Sequence, residues 1–315
     1  MNAVACEKVE VVSFGCRLNL VESEAMRRAA EAAEHSGAVV VNTCAVTAEA
    51  VRQARQAIRR ISRDNPRAKI IVSGCAVETE RARFAAMPEI AAIIGNAAKT
   101  EAQAWRDLMR GKTDAPDIMR ATIARPIAVD AIEGHTRAFL AIQNGCDHRC
   151  TFCVIPYGRG PSRSISPEDA IAQARRLVDF GHKEIVLTGV DLTSWGGDLP
   201  GRPKLGSLVR AILKAAPGLK RLRLSSLDCI EADEDLFVAL AEEERLTPHL
   251  HLSLQSGDDM ILKRMKRRHS RRDAIEFCAR VRKLRPDIVF GADLIAGFPT
   301  ETDGIADNTL RLVED

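Results

Sequence analysis

Three times within the first 75 residues, a short apolar run is followed at once by a cysteine. Val11-Val12-Ser13-Phe14 leads to Gly15-Cys16, Ala38-Val39-Val40-Val41 leads to Asn42-Thr43-Cys44, and Lys69-Ile70-Ile71-Val72 leads to Ser73-Gly74-Cys75. The runs have strand length and strand composition. Helix-like segments lie between them, at about Leu20–Glu34 and Thr47–Ser62. Ser36-Gly37 closes the first and Asn65-Pro66 breaks the chain after the second. Another helix, a short strand at Ile90–Ile94 and a helix near Lys99–Met109 continue the alternation. Such alternation predicts a doubly wound parallel sheet. The carboxyl ends of its strands share one edge, where ligands bind. Cys16, Cys44 and Cys75 are therefore expected together on that edge.

The second half repeats the alternation with a different plan. Residues 113–134 carry Pro116 and Pro126 and keep no sustained period, so they read as a linker with an irregular strand. They divide a first domain, 8–112, from a second, 135–315. Strands are expected at Arg137–Ile142, Lys183–Leu187, Arg221–Leu224, His249–Leu254 and Ile288–Leu294. Helices are expected at Pro167–Phe180, Leu205–Ala215, Glu234–Glu242 and Arg272–Leu284. A partial (β/α) barrel fits this pattern and puts its chemistry at the strand carboxyl ends. The first barrel strand runs into Cys146-Asp147-His148-Arg149-Cys150-Thr151-Phe152-Cys153. Three thiolates at C-x3-C-x2-C spacing suit a metal cluster or a soft ion. Structural zinc takes four protein ligands, and no fourth cysteine is near. A cluster with one open iron is the economical reading, and a zinc knuckle with a distant ligand or three buried thiols are its alternatives.

Composition narrows the setting. Nine cysteines without a visible secretory signal favour metal or redox chemistry over a disulfide framework, and an intracellular, cytoplasmic enzyme is expected. No apolar stretch is long enough to span a bilayer, so no membrane partner is expected. A formal net charge of +3 permits nucleic-acid binding without arguing for it.

The motif with Phe152 in its aromatic slot resembles that of the radical S-adenosylmethionine (SAM) enzymes. The resemblance implies that Cys146, Cys150 and Cys153 hold a [4Fe-4S] cluster whose open iron chelates SAM. An electron from the cluster then splits SAM into methionine and a 5′-deoxyadenosyl radical. Gly15-Cys16-x-x-Asn19 with Glu22-x-Glu24, then Asn42-Thr43-Cys44-Ala45-Val46-Thr47, then Ser73-Gly74-Cys75, resemble the amino-terminal domain of the methylthiotransferases. There the three cysteines hold a second, auxiliary [4Fe-4S] cluster that carries or donates sulfur. The run Asn-Thr-Cys-Ala-Val-Thr-Ala-Glu-Ala looks most like the branch acting on N6-threonylcarbamoyladenosine at position 37 of tRNA. The resemblance implies methylthio transfer to C2 of that base in the anticodon loop. A reductant such as flavodoxin or ferredoxin, a sulfur source and a monomeric enzyme are expected with it. It further implies a sixth barrel strand and a small RNA-binding β-barrel, and neither is present before Asp315, so the chain reads as carboxyl-terminally truncated.

Other strand ends supply candidate cofactor contacts by the same resemblance. Thr188, Gly189 and Val190 match the stretch that meets the SAM amino group through backbone; the acidic third position is Val190 here, and Asp191 is a separate candidate. Ser253 and Gln255 alternate onto one face of their strand, suited to a ribose or methionine. Asp293 lies in Gly-x-Asp-x-Ile-x-Gly-Phe-Pro-Thr-Glu, which resembles a stretch near SAM.

Several features carry two readings. Arg52, Arg55, Arg59 and Arg63 make a helix ridge that is either solvated or phosphate-contacting. Lys263, Arg264, Lys266, Arg267, Arg268, Arg271 and Arg272 form the densest basic run, read as an RNA-facing group. Arg159 and Arg163 are expected at phosphate, at a carboxylate or on the surface, and Trp195 in its Gly-rich loop as a base-stacking candidate. Cys6, Cys229 and Cys278 read as packing residues. Rival functions are the same chemistry on isopentenyladenosine tRNA or on a ribosomal-protein aspartate, a cobalamin-binding first domain, and a non-catalytic zinc or iron–sulfur protein that binds RNA. A cobalamin-ligating His is hard to find in a first-domain loop, since His35 precedes a strand.

Overall fold

A computed structural model describes residues 8–112, 116–132 and 134–315; Cys6 lies outside them. The first sheet is parallel, in the order β1 (Glu10–Ser13), β2 (Ala38–Thr43), β3 (Lys69–Gly74) and β4 (Ala92–Ile93). Every residue of β2 is buried, as a strand covered on both faces requires. The helices are α1 (Arg17–Ala32), α2 (Ala48–Asp64), α3 (Cys75–Thr79), α4 (Arg81–Ala85) and α5 (Ala102–Met109). Met26, Ala29 and Ala30 of α1 and Trp105 of α5 pack with Val40 and Ile71 on one face. Val51 and Ile58 of α2 and Phe84 of α4 pack with Val41, Ile70 and Val72 on the other. The sheet is thus covered on both sides, as expected of a doubly wound unit. Helix α1 begins three residues before the expected Leu20, because Cys16 itself stands at its N-cap.

The second body holds β5 (Ala138–Ala141), β6 (Gln143–Asn144), α6 (Ile155–Arg159), β7 (Arg163–Ser164), α7 (Pro167–Asp179), β8 (Glu184–Thr188) and α8 (Leu205–Ala215). It continues with β9 (Arg221–Leu224), β10 (Ser226–Leu227), α9 (Glu234–Glu242), β11 (His249–Gln255), α10 (Asp259–Arg264), α11 (Arg271–Leu284), β12 (Val289–Leu294) and α12 (Asp303–Glu314). The path from Arg221 to Leu227 breaks at Ser225, so that β9 pairs with β8 and β10 with β11. Two parallel sheets, β5-β8-β9 and β10-β11-β12, thereby continue one another around a partial barrel. Leu187, Leu222, Leu250 and Leu252 pack outward on Leu177, Ile212, Leu240 and Val281 of the surrounding helices. Along β11 the alternate residues His251, Ser253 and Gln255 are half-buried on the opposite face, as period-two side chains must be. Val289 and Leu294 leave β12 exposed at the barrel's open side.

The irregular strand expected before the barrel does not form among the described residues. Residues 118–120 make a single tight turn, and Ile127, Val129 and Ile132 pack with Val21 of α1, Phe139 of β5 and Val186 of β8. Asp130 in this stretch accepts from Arg28 and from Arg176, each at 3.0 Å, and so joins α1 to α7. Among the described residues, no helix is long and apolar enough to cross a membrane.

Candidate active site

The carboxyl edge of the first sheet is held by a buried amide network. Asn19 Nδ2 donates to Phe14 O at 2.7 Å and to Thr43 O at 3.0 Å. Asn42 Nδ2 donates to Asn19 O and to Ser23 Oγ, both at 3.0 Å, and Thr43 Oγ1 donates to Ser73 O at 2.7 Å. The ends of β1, β2 and β3 are thereby tied together, and each presents its cysteine. Gly15 has φ +96°, and a Cβ there would lie 2.6 Å from Cys44 Sγ. Only glycine allows the two cysteine loops to approach so closely. Cys16, Cys44 and Cys75 line a cavity of about 480 Å³, whose other wall comes from the barrel: Ile155, Arg159, Thr188, Gly189, Val190, Ser226, His251 and Asp293 among others.

The second trio is shaped by the loop after β6. Gly145 has φ +77°, and a Cβ there would fall on the Pro161 carbonyl. Cys146 N donates to Gly160 O at 3.1 Å, folding the loop back on itself. Thr151 N and Oγ1 donate to Met265 O at 3.1 Å and Arg264 O at 3.0 Å, fixing the loop to the segment after α10. Cys146, Cys150 and Cys153 line a smaller cavity of about 160 Å³ with His148, Phe152, Val190, Asp191, Ser253, Gln255 and Arg267. Phe152 remains 40% exposed at its rim. Burial, with the Asp191 carboxylate beside it, pushes the Cys146 thiol up to about 12. His148 Nε2 stands 2.8 Å from Asp191 Oδ2. Hydrogen bonding to Asp191, then to Glu231, raises His148 to about 9.

The two cavities share Ile155, Val190 and Ser226 as a common wall. Gln143 sets part of that wall. Its Oε1 accepts from Val190 N at 2.9 Å and Asp191 N at 2.8 Å, while its Nε2 donates to Gly145 O at 2.8 Å and Ser162 Oγ at 3.0 Å. One buried amide thus fixes the turn after β8 against the cysteine loop.

The thiols suit clusters better than single ions. Some ligand trios do draw together within 4.8 Å, such as Cys146, His148 and Asp191, but neither cysteine trio is among the groups so close. A lone zinc with bonds of about 2.3 Å needs its sulfurs closer than that. A multi-iron cluster takes its thiolates from wider apart. None of the described cysteines is in a disulfide.

The expected cofactor contacts divide between the cavities. Phe152, Ser253 and Gln255 face the Cys146 side, Thr188, Gly189 and Asp293 face the Cys16 side, and Val190 lines both. Asp293 also pairs with His251 Nε2 at 3.2 Å.

Three sequence expectations change. Trp195 is 1% exposed, and its Nε1 donates to Ile165 O at 2.9 Å, so it is a core residue and not a stacking platform. Arg159 does meet a carboxylate, that of Glu22, together with Asn19 and Cys75, but Arg163, expected at phosphate, at a carboxylate or on the surface, is buried against the Pro161 and Arg159 carbonyls. The basic run splits: Arg267 is drawn in to Asp228 at 3.0 Å and Arg268, though exposed, pairs with the same carboxylate at 3.0 Å, whereas Lys263, Arg264, Lys266 and Arg272 are exposed without reaching it. Sequence reading alone misses Gln143, Lys99 and the role of Arg159. Gln143 had one signal, a polar residue directly after an apolar strand and before the cysteine loop.

A family model of the radical SAM superfamily matches residues 140–313, and one described as the uncharacterized protein family UPF0004 matches residues 8–95. The threonylcarbamoyladenosine tRNA methylthiotransferase MtaB of Rickettsia prowazekii is 49% identical over 304 residues, covering 96% of this chain and 72% of that protein. The protein of the same name from Bacillus subtilis is 33% identical, covering 92% and 67%. The tRNA-2-methylthio-N(6)-dimethylallyladenosine synthase of Erythrobacter litoralis is 33% identical, covering 97% and 72%. Among solved structures, the radical SAM methyltransferase TsrM of Kitasatospora setae superposes with a TM-score of 0.69 at 15% identity, over 98% of this chain and 71% of that one. That likeness is one of fold.

Proposed function

This chain belongs to the radical SAM methylthiotransferases, and from that premise we propose that it adds a methylthio group to C2 of N6-threonylcarbamoyladenosine at position 37 of tRNA. The observation that carries the reading is the pair of cysteine trios facing adjacent cavities across one wall, in a chain 49% identical to a protein named for this reaction. We assign Cys146, Cys150 and Cys153 to the SAM-cleaving [4Fe-4S] cluster in residues 135–315. Cys16, Cys44 and Cys75 are assigned to the auxiliary cluster in residues 8–112, with 113–134 as the linker. When bound, these groups supply one-electron cleavage of SAM and a sulfur for transfer.

The chain's own residues supply order and exclusion. An aromatic C–H is neither acidic nor electrophilic, so radical chemistry is needed and water must be kept from it. Ile155 and Val190 make most of the shared wall apolar, beside Ser226. Gln143 holds the Val190–Asp191 backbone in one conformation, leaving the Thr188–Gly189 edge to meet the cofactor. Ser253 and Gln255 offer polar groups on the facing strand, and Phe152 covers the rim. The exposed Lys263, Arg264 and Lys266 lie in the segment bonded to the cysteine loop, where an incoming RNA backbone would pass. The enzyme works in the cytoplasm as a monomer, with a flavodoxin- or ferredoxin-type reductant and a sulfur source.

The test is incubation of anaerobically reconstituted protein with SAM, a reductant and tRNA bearing N6-threonylcarbamoyladenosine, followed by nucleoside mass spectrometry. A methylthio nucleoside is expected. SAM cleavage with no modified nucleoside, or with a modified ribosomal protein instead, would overturn the assignment.

A further inference from the structure

Arg159 ends α6, six residues after Cys153, yet its guanidinium is seated in the first sheet's carboxyl edge. Its Nε donates to Cys75 Sγ at 3.1 Å, Nη1 to Glu22 Oε1 and Nη2 to Asn19 Oδ1. The side chain is 3% exposed. Asn96 Nδ2 approaches the same sulfur at 3.7 Å and donates to Gly158 O at 2.6 Å. Glu22 is shared with Lys99 Nζ at 2.6 Å, itself 3.2 Å from Asn42 Oδ1.

Two basic side chains, Arg159 and Lys99, share the single carboxylate of Glu22, with three thiols adjacent. Buried charge is costly unless paired. Arg159 shares Glu22 with Lys99, and the Cys75 sulfur is its other partner able to carry negative charge.

We propose that Arg159 is a positioning and charge-compensating residue for the Cys16–Cys44–Cys75 centre, delivered from the segment of this same chain that carries the other trio. Its N–H bond to the Cys75 sulfur raises the reduction potential of a cluster held there. Hydrogen bonds to cluster sulfurs and nearby positive charge both favour the reduced, more negative form. The inference rests on the reading that this trio holds an iron–sulfur cluster.

The experiment is a redox titration followed by electron paramagnetic resonance, with Cys146, Cys150 and Cys153 all changed to Ala so that one cluster remains. Arg159→Met is expected to lower the midpoint, raising the oxidised-to-reduced ratio at fixed potential about tenfold, or ~59 mV for one electron. Arg159→Lys keeps the charge and recovers part of the shift. Glu22→Gln moves the midpoint upward, because a negative charge is lost. General disruption of the site would move Arg159→Met and Glu22→Gln the same way, and that result overturns the inference. Midpoints unmoved by Arg159→Lys and Glu22→Gln overturn it too, including where Arg159→Met fails to fold. A background protein that binds no iron overturns both the inference and the auxiliary-cluster reading, whereas iron with fixed midpoints removes only the role of Arg159.

Discussion

A Cβ added at Gly158 would lie 2.9 Å from the Cβ of Cys75 and 3.2 Å from its Cα. The two residues are 83 positions apart in sequence, and the bare glycine lets α6 lie directly on α3. The atoms it meets are the Cβ of Cys75 and the backbone behind it, none of which a side-chain rotation can move away. Gly158→Ala is expected to cost about 1–3 kcal/mol of stability through overpacking. It should also reduce iron bound by the first trio, measured by urea unfolding and by iron content after reconstitution. Wild-type values for both would show that α6 has slack against α3.

The two trios should load independently. Cys16/Cys44/Cys75→Ala is expected to lose about half of the bound iron and sulfide while SAM cleavage persists. Cys146/Cys150/Cys153→Ala should lose a similar share and all cleavage. Equal iron in the first variant and the parent would remove the auxiliary cluster, and with it the methylthio-transfer reading.

Gln143 satisfies two backbone N–H groups at the shared wall. Gln143→Ala leaves both without an acceptor, at about 1–3 kcal/mol each by desolvation. Weaker SAM binding with intact cluster content is the expected outcome, read by calorimetry against the parent. Unchanged affinity would mean that the Val190–Asp191 turn keeps its shape unaided.

Lys263 and Lys266 are exposed beside the segment that anchors the Cys146 loop. Changing either to Ala should weaken tRNA binding across all tRNA sequences and lower the salt slope of log K by about one. A filter-binding series in salt measures this, and a slope equal to the parent's would move the RNA path elsewhere.

The barrel has an acid-sensitive contact away from the chemistry. Glu184, buried at the start of β8, accepts from Arg221 Nε at 2.7 Å and Arg223 Nε at 3.1 Å on β9. Burial works to raise its pKa, but the two arginines outweigh it and the carboxyl titrates below 4.5. A depressed folded-state pKa gives stability that is present above 4.5 and lost as pH falls through the folded value. Glu184→Gln is expected to cost about 1–2 kcal/mol at pH 7 and to flatten the stability profile below pH 4.5. Parallel acid profiles for the two proteins would assign acid lability to other groups.

Much of the site was legible from sequence because its ligands follow strands. Cys16, Cys44 and Cys75 each come directly after an apolar run, and parallel pairing forces such positions onto one edge. Cys146, Cys150 and Cys153 are local in sequence. What lies between the trios was not legible, because it depends on how two separate bodies meet. Arg159 sits in a run of Gly and Pro that suggests an exposed loop, yet its partners Asn19, Glu22 and Cys75 lie 84 to 140 residues away. The same flaw affects Trp195, whose Gly-rich neighbours suggested a base-stacking position although its ring is buried in the core and its Nε1 donates to Ile165 O. In both cases local composition describes the backbone's freedom and says nothing of where the side chain is buried.

Helix α6 has only five residues, about 7.5 Å of axial length. Its first residue, Ile155, stands in the wall between the cavities, and its last, Arg159, reaches the Cys75 sulfur. The spacing of the two cysteine trios is therefore gauged by a covalent ruler of little more than one helical turn. A ruler this short leaves no room for an inserted residue: lengthening it by one would rotate Arg159 by about 100° and swing it off the sulfur it measures to.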